Sequence, residues 1–113
     1  MAKLECNLQG NFDSILRDLE DAVLGGSISA TYEDGSDVRF TGGVRCAVRV
    51  YERFSWMGQN RVSMSVTLTG VEGRHHLTVI TSGGSTGVFF KINTWGEDAF
   101  LNTIRDAVAK YKA

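Results

Sequence analysis

The sequence predicts an α+β fold: an antiparallel sheet of five to six strands in the order β-α-β(4-5)-α, with the C-terminal helix packed on the sheet. Three observations carry the prediction. Apolar and polar residues alternate with a period of two through the middle of the chain. Apolar residues at helical spacing bracket that block on both sides. Glycine-containing pairs punctuate the alternating runs where turns are needed.

Taken in order, Leu4, Cys6 and Leu8 alternate in a short first strand, which Gly10-Asn11 breaks. Asn11 is placed as the N-cap of a helix spanning Asn11 to Leu24, since its side chain can accept a bond from a first-turn N–H. Phe12, Ile15, Leu16, Leu19 and Val23 form the apolar stripe of that helix, with Asp13 in the first turn where the dipole favours an anion. Gly25-Gly26 ends it, with a glycine expected in the left-handed cap conformation.

Ile28, Ala30 and Tyr32 then alternate. Asp34-Gly35 reads as a type I′ hairpin turn, Val38 and Phe40 as the return strand, and Gly42-Gly43 as a bend or bulge. In the next run Val44, Cys46, Val48 and Val50 share one face, and Arg45, Ala47, Arg49, Tyr51 and Arg53 the other. The first set reads as the apolar face. The second reads as a solvated face whose arginines pair with Glu33, Asp37, Glu52 or Glu72. Residues 57–60 form a turn. Val62, Met64, Val66 and Leu68 then point inward, and Ser63, Ser65, Thr67 and Thr69 outward. Glu72-Gly73 turns the chain again, and Leu77 and Val79 lie in a strand ending near Thr81.

After the glycine-rich stretch 82–87 comes an extended segment, Val88 to Ile92. Thr94 and Glu97 match a capping box, which opens a last helix carrying Phe100, Leu101, Ile104, Val108 and Tyr111. Lys110 and Lys112 sit at its C-terminus, where cations are favoured.

With 113 residues the chain has room for one domain, residues 1–113, and enough core to be stable without staples. A net charge of −1 argues against a dedicated nucleic-acid binder or a membrane-surface protein. The N-terminus shows no secretory leader, and no apolar run reaches the length of a membrane span, so a cytoplasmic location is expected. Cys6 and Cys46 read as small buried apolar residues.

Motifs that carry chemistry are scarce. Ser82 to Gly87 has the glycines of a phosphate loop, but Val88-Phe89-Phe90 follows where a Walker loop would place Lys and a hydroxyl, so a structural bend is the better reading. His75 and His76 are adjacent on a strand and point to opposite faces, which does not suit one metal ion; they read as rim or turn histidines. No serine sits in a nucleophile elbow. The expectation is a noncatalytic protein without cofactor or metal.

The element order resembles the helix-grip architecture of START-like and pollen-allergen-like lipid-binding domains, or a TBP-like arrangement, in which a curved sheet wraps the last helix. In addition, Gly43 to Arg53, Ile80 to Gly84 and Phe89 to Thr94 resemble an uncharacterised family of small bacterial domains over nearly the whole length. That resemblance implies the size and fold, and transfers no activity and no site residues.

Two functions follow as expectations. The leading one is a noncatalytic module holding a small apolar or amphipathic ligand between the sheet and the C-terminal helix, lined by Met64, Phe89, Phe90, Trp95 and Phe100. The alternative is an interaction protein, a homodimer or larger homo-oligomer, that associates through the flat, uncharged row Ser63, Ser65, Thr67 and Thr69. Phe54 to Met57, leading into a turn, is a further candidate contact tip.

Overall fold

The computed structural model describes residues 2–26, 29–55, 60–83 and 101–113. Within them the order is β1 (Ala2–Gln9), α1 (Phe12–Gly25), β2 (Thr31–Arg39), β3 (Arg45–Ser55), β4 (Asn60–Val71) and β5 (Arg74–Gly83). Residues 101–108 are α-helical (α2) and run into a 3-10 turn, Ala109–Tyr111. The fold is α+β, with one five-stranded antiparallel sheet in the order β1-β5-β4-β3-β2. Consecutive strands β2 to β5 form a meander, and β1 joins it beside β5, with Leu4 opposite Val79.

Helix α1 starts as its sequence dictates. The Asn11 side chain accepts a hydrogen bond from Ser14 N–H at 2.9 Å, and Ile15, Leu19 and Val23 are buried. Each such side chain removed from water contributes about 1.5–3 kcal/mol. Its end differs from expectation. Gly26 caps the helix at φ −87°, in the right-handed region. Glycine is required there for space: a Cβ would lie 2.6 Å from the Ala22 oxygen and 3.2 Å from Thr103.

The β4–β5 hairpin is the two-residue turn expected at Glu72-Gly73, with φ of 52° and 78° and Val71 paired to Arg74. The expected turn at Asp34-Gly35 is not one. Both residues lie inside β2, just after a register shift between Tyr32 and Asp34. A Cβ at Gly35 would meet the Val48 oxygen at 2.5 Å and the Tyr32 hydroxyl at 2.8 Å, so this glycine serves close approach between strands. The turn falls instead at Gly42 and Gly43, at φ of 91° and 82°, closed by a bond from Phe40 N–H to the Val44 oxygen at 2.8 Å. Ile28, in the strand expected before Tyr32, and residues 57–59 of the turn expected over 57–60 lie outside the described residues, while Asn60 is the first residue of β4.

The two faces of β3 are also reversed. Ala47 and Tyr51 are buried, while Val48 and Val50 are only partly so. The reason is register: Ala47 stands opposite Leu68, Arg49 opposite Val66 and Tyr51 opposite Met64, and residues directly opposed share a face. Burying the apolar row of β4 therefore turns the arginine face of β3 toward the helices.

The core fills the space between that inner sheet face and the helices. It comprises Leu8, Ile15, Leu19, Val23, Tyr51, the inward row of β4, Leu77, Val79, and Leu101, Ile104 and Val108 of α2. Both helices thus lie on one side of the sheet. Beyond α2 the chain returns to β1: Leu8 bridges Lys112, and Ala113 N–H donates to the Asn7 oxygen at 3.1 Å. Among the described residues, no helix is long and apolar enough to cross a membrane.

Candidate functional site

On the sheet face turned away from the helices, strand register arranges side chains in rows across all five strands. One row runs Lys3, Ile80, Ser65, Val50, Asp34; the next runs Glu5, Thr78, Thr67, Val48, Ser36. Flanking them are the row Asn7, His76, Thr69, Cys46, Val38 and, at the other end, Ser82, Ser63, Glu52, Thr31. The face therefore has an apolar strip on β3, a hydroxyl strip on β4, and charged groups toward β1. Val38, Phe54 and Ile80 on this face are 41%, 47% and 38% exposed. Large side chains at that exposure on a sheet face that no described element covers are the feature a partner surface would use.

Its polar groups hold one another. His76 lies 2.9 Å from the Asn7 amide oxygen and 3.3 Å from Glu5, and this bond, with Lys3 3.4 Å away, keeps the Glu5 carboxyl below the usual carboxylate range. The Thr69 hydroxyl donates to Cys46 Sγ at 3.4 Å. Glu52 pairs with Arg61 at 3.3 Å.

The inner face carries a second cluster, at the end of the sheet beneath the start of α1. Arg45 bonds Asp37 through Nε at 3.0 Å and Nη2 at 2.6 Å, and Asp13 through Nη1 at 2.8 Å. Its guanidinium sits 4.2 Å from the centre of the Phe12 ring, which in turn meets His75 edge to face at 5.3 Å. Arg45 holds the Asp37 carboxyl well below its ordinary value, and the two carboxylates raise Arg45 in return. His75 Nε2 lies 2.9 Å from the Gly10 oxygen, which only accepts, so Nε2 carries the proton. Its buried Nδ1 has no hydrogen-bond partner among the described residues. A depression of about 350 Å³ opens here, between Phe12, Arg45, Gly70 and Glu72. With its donors already committed to Asp13 and Asp37, Arg45 works as a clamp joining α1, β2 and β3 and is poorly placed to receive an anion.

Tyr51, fully buried, donates a long bond to Glu20 at 3.5 Å; burial, with Glu20 adding to it, pushes its hydroxyl far above the ordinary tyrosine value. A second open groove, about 530 Å³, runs along Asn7, Gln9, Thr69, Arg74 and His76 at the β1–β5 end of the outer face. Among the described residues, no group of three or more His, Cys, Asp or Glu is placed to hold a metal ion.

Of the ligand-lining residues expected from sequence, Met64 is fully buried in the core opposite Tyr51 and Thr81. Phe89, Phe90, Trp95 and Phe100 lie outside the described residues, as do Trp56, the capping box and most of the glycine-rich stretch. The hydroxyl row Ser63 to Thr69 faces outward as expected. His75 is a buried strand residue and not the rim or turn histidine expected. Cys6 and Cys46 are free, half-buried and on opposite sheet faces. Val48 and Val50 read as inward because they alternate as buried residues do, and the arginines on the other face of β3 favoured the same assignment.

A family model described as a family of unknown function, DUF6054, matches residues 1–112, and the chain belongs to that family. No curated protein and no solved structure matches it.

Proposed function

We propose that this member of the family is a noncatalytic interaction domain that self-associates through the sheet face turned away from its described helices. The observation that carries the reading is the apolar strip of β3, extended by Val38, Phe54 and Ile80, on the face opposite both helices. Five strands about 4.8 Å apart and about 30 Å long present roughly 700 Å², close to the 800 Å² or so that each partner buries in a stable dimer. The face has the anatomy of such an interface, with an uncharged centre and charges of both signs at the rim.

Edge pairing is the less supported route. The β1 edge is occupied at Leu8 by Lys112, and β2 carries a register shift with Glu33, Asp34 and Asp37, devices that discourage strand addition. The free thiols of Cys6 and Cys46 accord with a reducing compartment.

Ligand binding between the sheet and the last helix has one supporting feature, the seating of α2 on the sheet in the manner of a helix-grip domain. Against it, Leu101, Ile104, Val108 and Met64 already fill that contact. Light scattering across a concentration series tests the primary reading. A dimer at tens of micromolar (roughly −6 kcal/mol or better) is expected, and a strict monomer at millimolar concentration overturns it.

A further inference from the structure

We infer that residues 109–113 form a releasable strap, caught on α1 by the carboxylate of Asp18, that covers the edge of β1 beside Cys6. The strap leaves α2 at Val108, which is buried in the core. Of residues 109–113 none is buried, and only Tyr111 is half-buried. A segment that removes so little apolar surface from water is held by its polar contacts and opens before the core does.

Those contacts converge on one acceptor. The Tyr111 hydroxyl donates to Asp18, and Lys110 Nζ stands 3.1 Å from the same carboxylate and 5.3 Å from the centre of the Tyr111 ring. The Tyr111 hydroxyl first and Lys110 second hold the Asp18 carboxyl below its ordinary value, and Arg17 on the same helix acts in the same direction. The Tyr111 ring rests against Gly10, where a Cβ would lie 3.3 Å from it. Past this catch, Lys112 bridges Leu8 and Ala113 N–H donates to the Asn7 oxygen at 3.1 Å, so the strap lies along the edge of β1 that faces away from β5.

An edge strand presents a row of donors and acceptors that another strand can take. The strap occupies them at Asn7 and Leu8, and its release returns them to solvent. Cys6, which precedes Leu8 on the helix side of β1, reports on that release. Its thiol is half-buried; burial raises it above the ordinary cysteine value, and Lys112 acts in the opposite direction from beside it. Because burial is the larger effect, removing the strap leaves the thiol more accessible and more readily ionised. Asp18 and Cys6 both lie on the helix side of the sheet, so the strap does not rest on self-association.

Iodoacetamide labelling at about pH 7 supplies the test, since Cys46→Ser protein keeps Cys6 as its single thiol. Cys46→Ser/Asp18→Asn protein should be labelled about tenfold faster, as expected when a charge-assisted bond and an ion pair give way to a neutral contact. Cys46→Ser/Val23→Ala protein, which lowers the stability of the core without touching the catch, should be labelled at the parental rate. Hydrogen exchange at the Ala113 amide should quicken with the labelling in the Asp18→Asn variant and stay at the parental rate in the Val23→Ala one. Labelling or exchange unchanged by Asp18→Asn overturns the strap. So does an equal acceleration in the Val23→Ala variant, which would place the exposure of Cys6 in global unfolding.

Discussion

His75 stands directly across the β4–β5 ladder from Gly70, and its ring occupies the place where a β-carbon on Gly70 would be. A strand glycine usually weakens a sheet. Here it lets the imidazole lie over the backbone and reach the Gly10 oxygen, tying the β1–α1 turn to the β4–β5 hairpin. The same turn is held by Gly10 N–H donating to the Gly73 oxygen at 2.9 Å.

Gly70→Ala should therefore displace the ring, break the bond to Gly10 and lower stability by about 1–3 kcal/mol. Urea unfolding measures it. Because only the ring contact needs both partners, and a Cβ on Gly70 would still lie 2.5 Å from the Arg74 oxygen, Gly70→Ala should cost less in a His75→Ala background but keep part of its cost. Equal costs in the two backgrounds would show that the ring does not set the glycine.

Acid sensitivity follows from three carboxylates. Arg45 holds Asp37 down, the Tyr111 hydroxyl and Lys110 hold Asp18 down, and His76 and Lys3 hold Glu5 down. A carboxylate with a lowered folded value stabilises the fold above its unfolded value, about 4. That contribution disappears as pH falls through the folded value. Stability should therefore decline from about pH 5 downward, and Arg45→Met should flatten the decline while lowering stability at pH 7 by about 1–2 kcal/mol, reduced by the exposure of Asp13. Urea midpoints between pH 3 and pH 7 check this; an acid limb as steep in Arg45→Met as in the parent contradicts it.

Met64 distinguishes core from ligand site. It is fully buried opposite Tyr51, so Met64→Ala should open a cavity and cost about 2–5 kcal/mol. Thermal or urea unfolding of ligand-free protein would read it. A cost under about 1 kcal/mol would point back to a pocket-lining role.

On the outer face, Ile80→Asp and Val50→Asp should leave the far-ultraviolet spectrum unchanged and weaken self-association at least about tenfold, or 1.4 kcal/mol. Sedimentation equilibrium provides the measurement. Thr31→Ser, at the margin of the face, is the matched control, and an equal loss in that variant would implicate unfolding over interface disruption.

Much of this architecture was legible in the sequence because some signals are local. The Asn11 cap, the stripe Ile15, Leu19, Val23, the Glu72-Gly73 turn and the inward row of β4 each depend on a few neighbouring residues and their own backbone geometry. The β3 strand and the glycines at 26, 35 and 70 were not legible in that way. Both faces of β3 alternate cleanly, one with valines and one with Ala47 and Tyr51 among arginines, and a period of two does not say which face is inside. Pairing with β4 decides it: Ala47 must share a face with Leu68, and Arg45 becomes tolerable there only because Asp13 from α1 and Asp37 from β2 converge on it. Likewise Gly35 looks like a turn from its neighbour Asp34, yet its role is set by the Val48 oxygen and the Tyr32 hydroxyl brought against it. Local backbone preference and periodicity thus determined the elements and their order. Strand register and charge compensation, which join residues far apart in the chain, decided which face of the sheet packs against the helices.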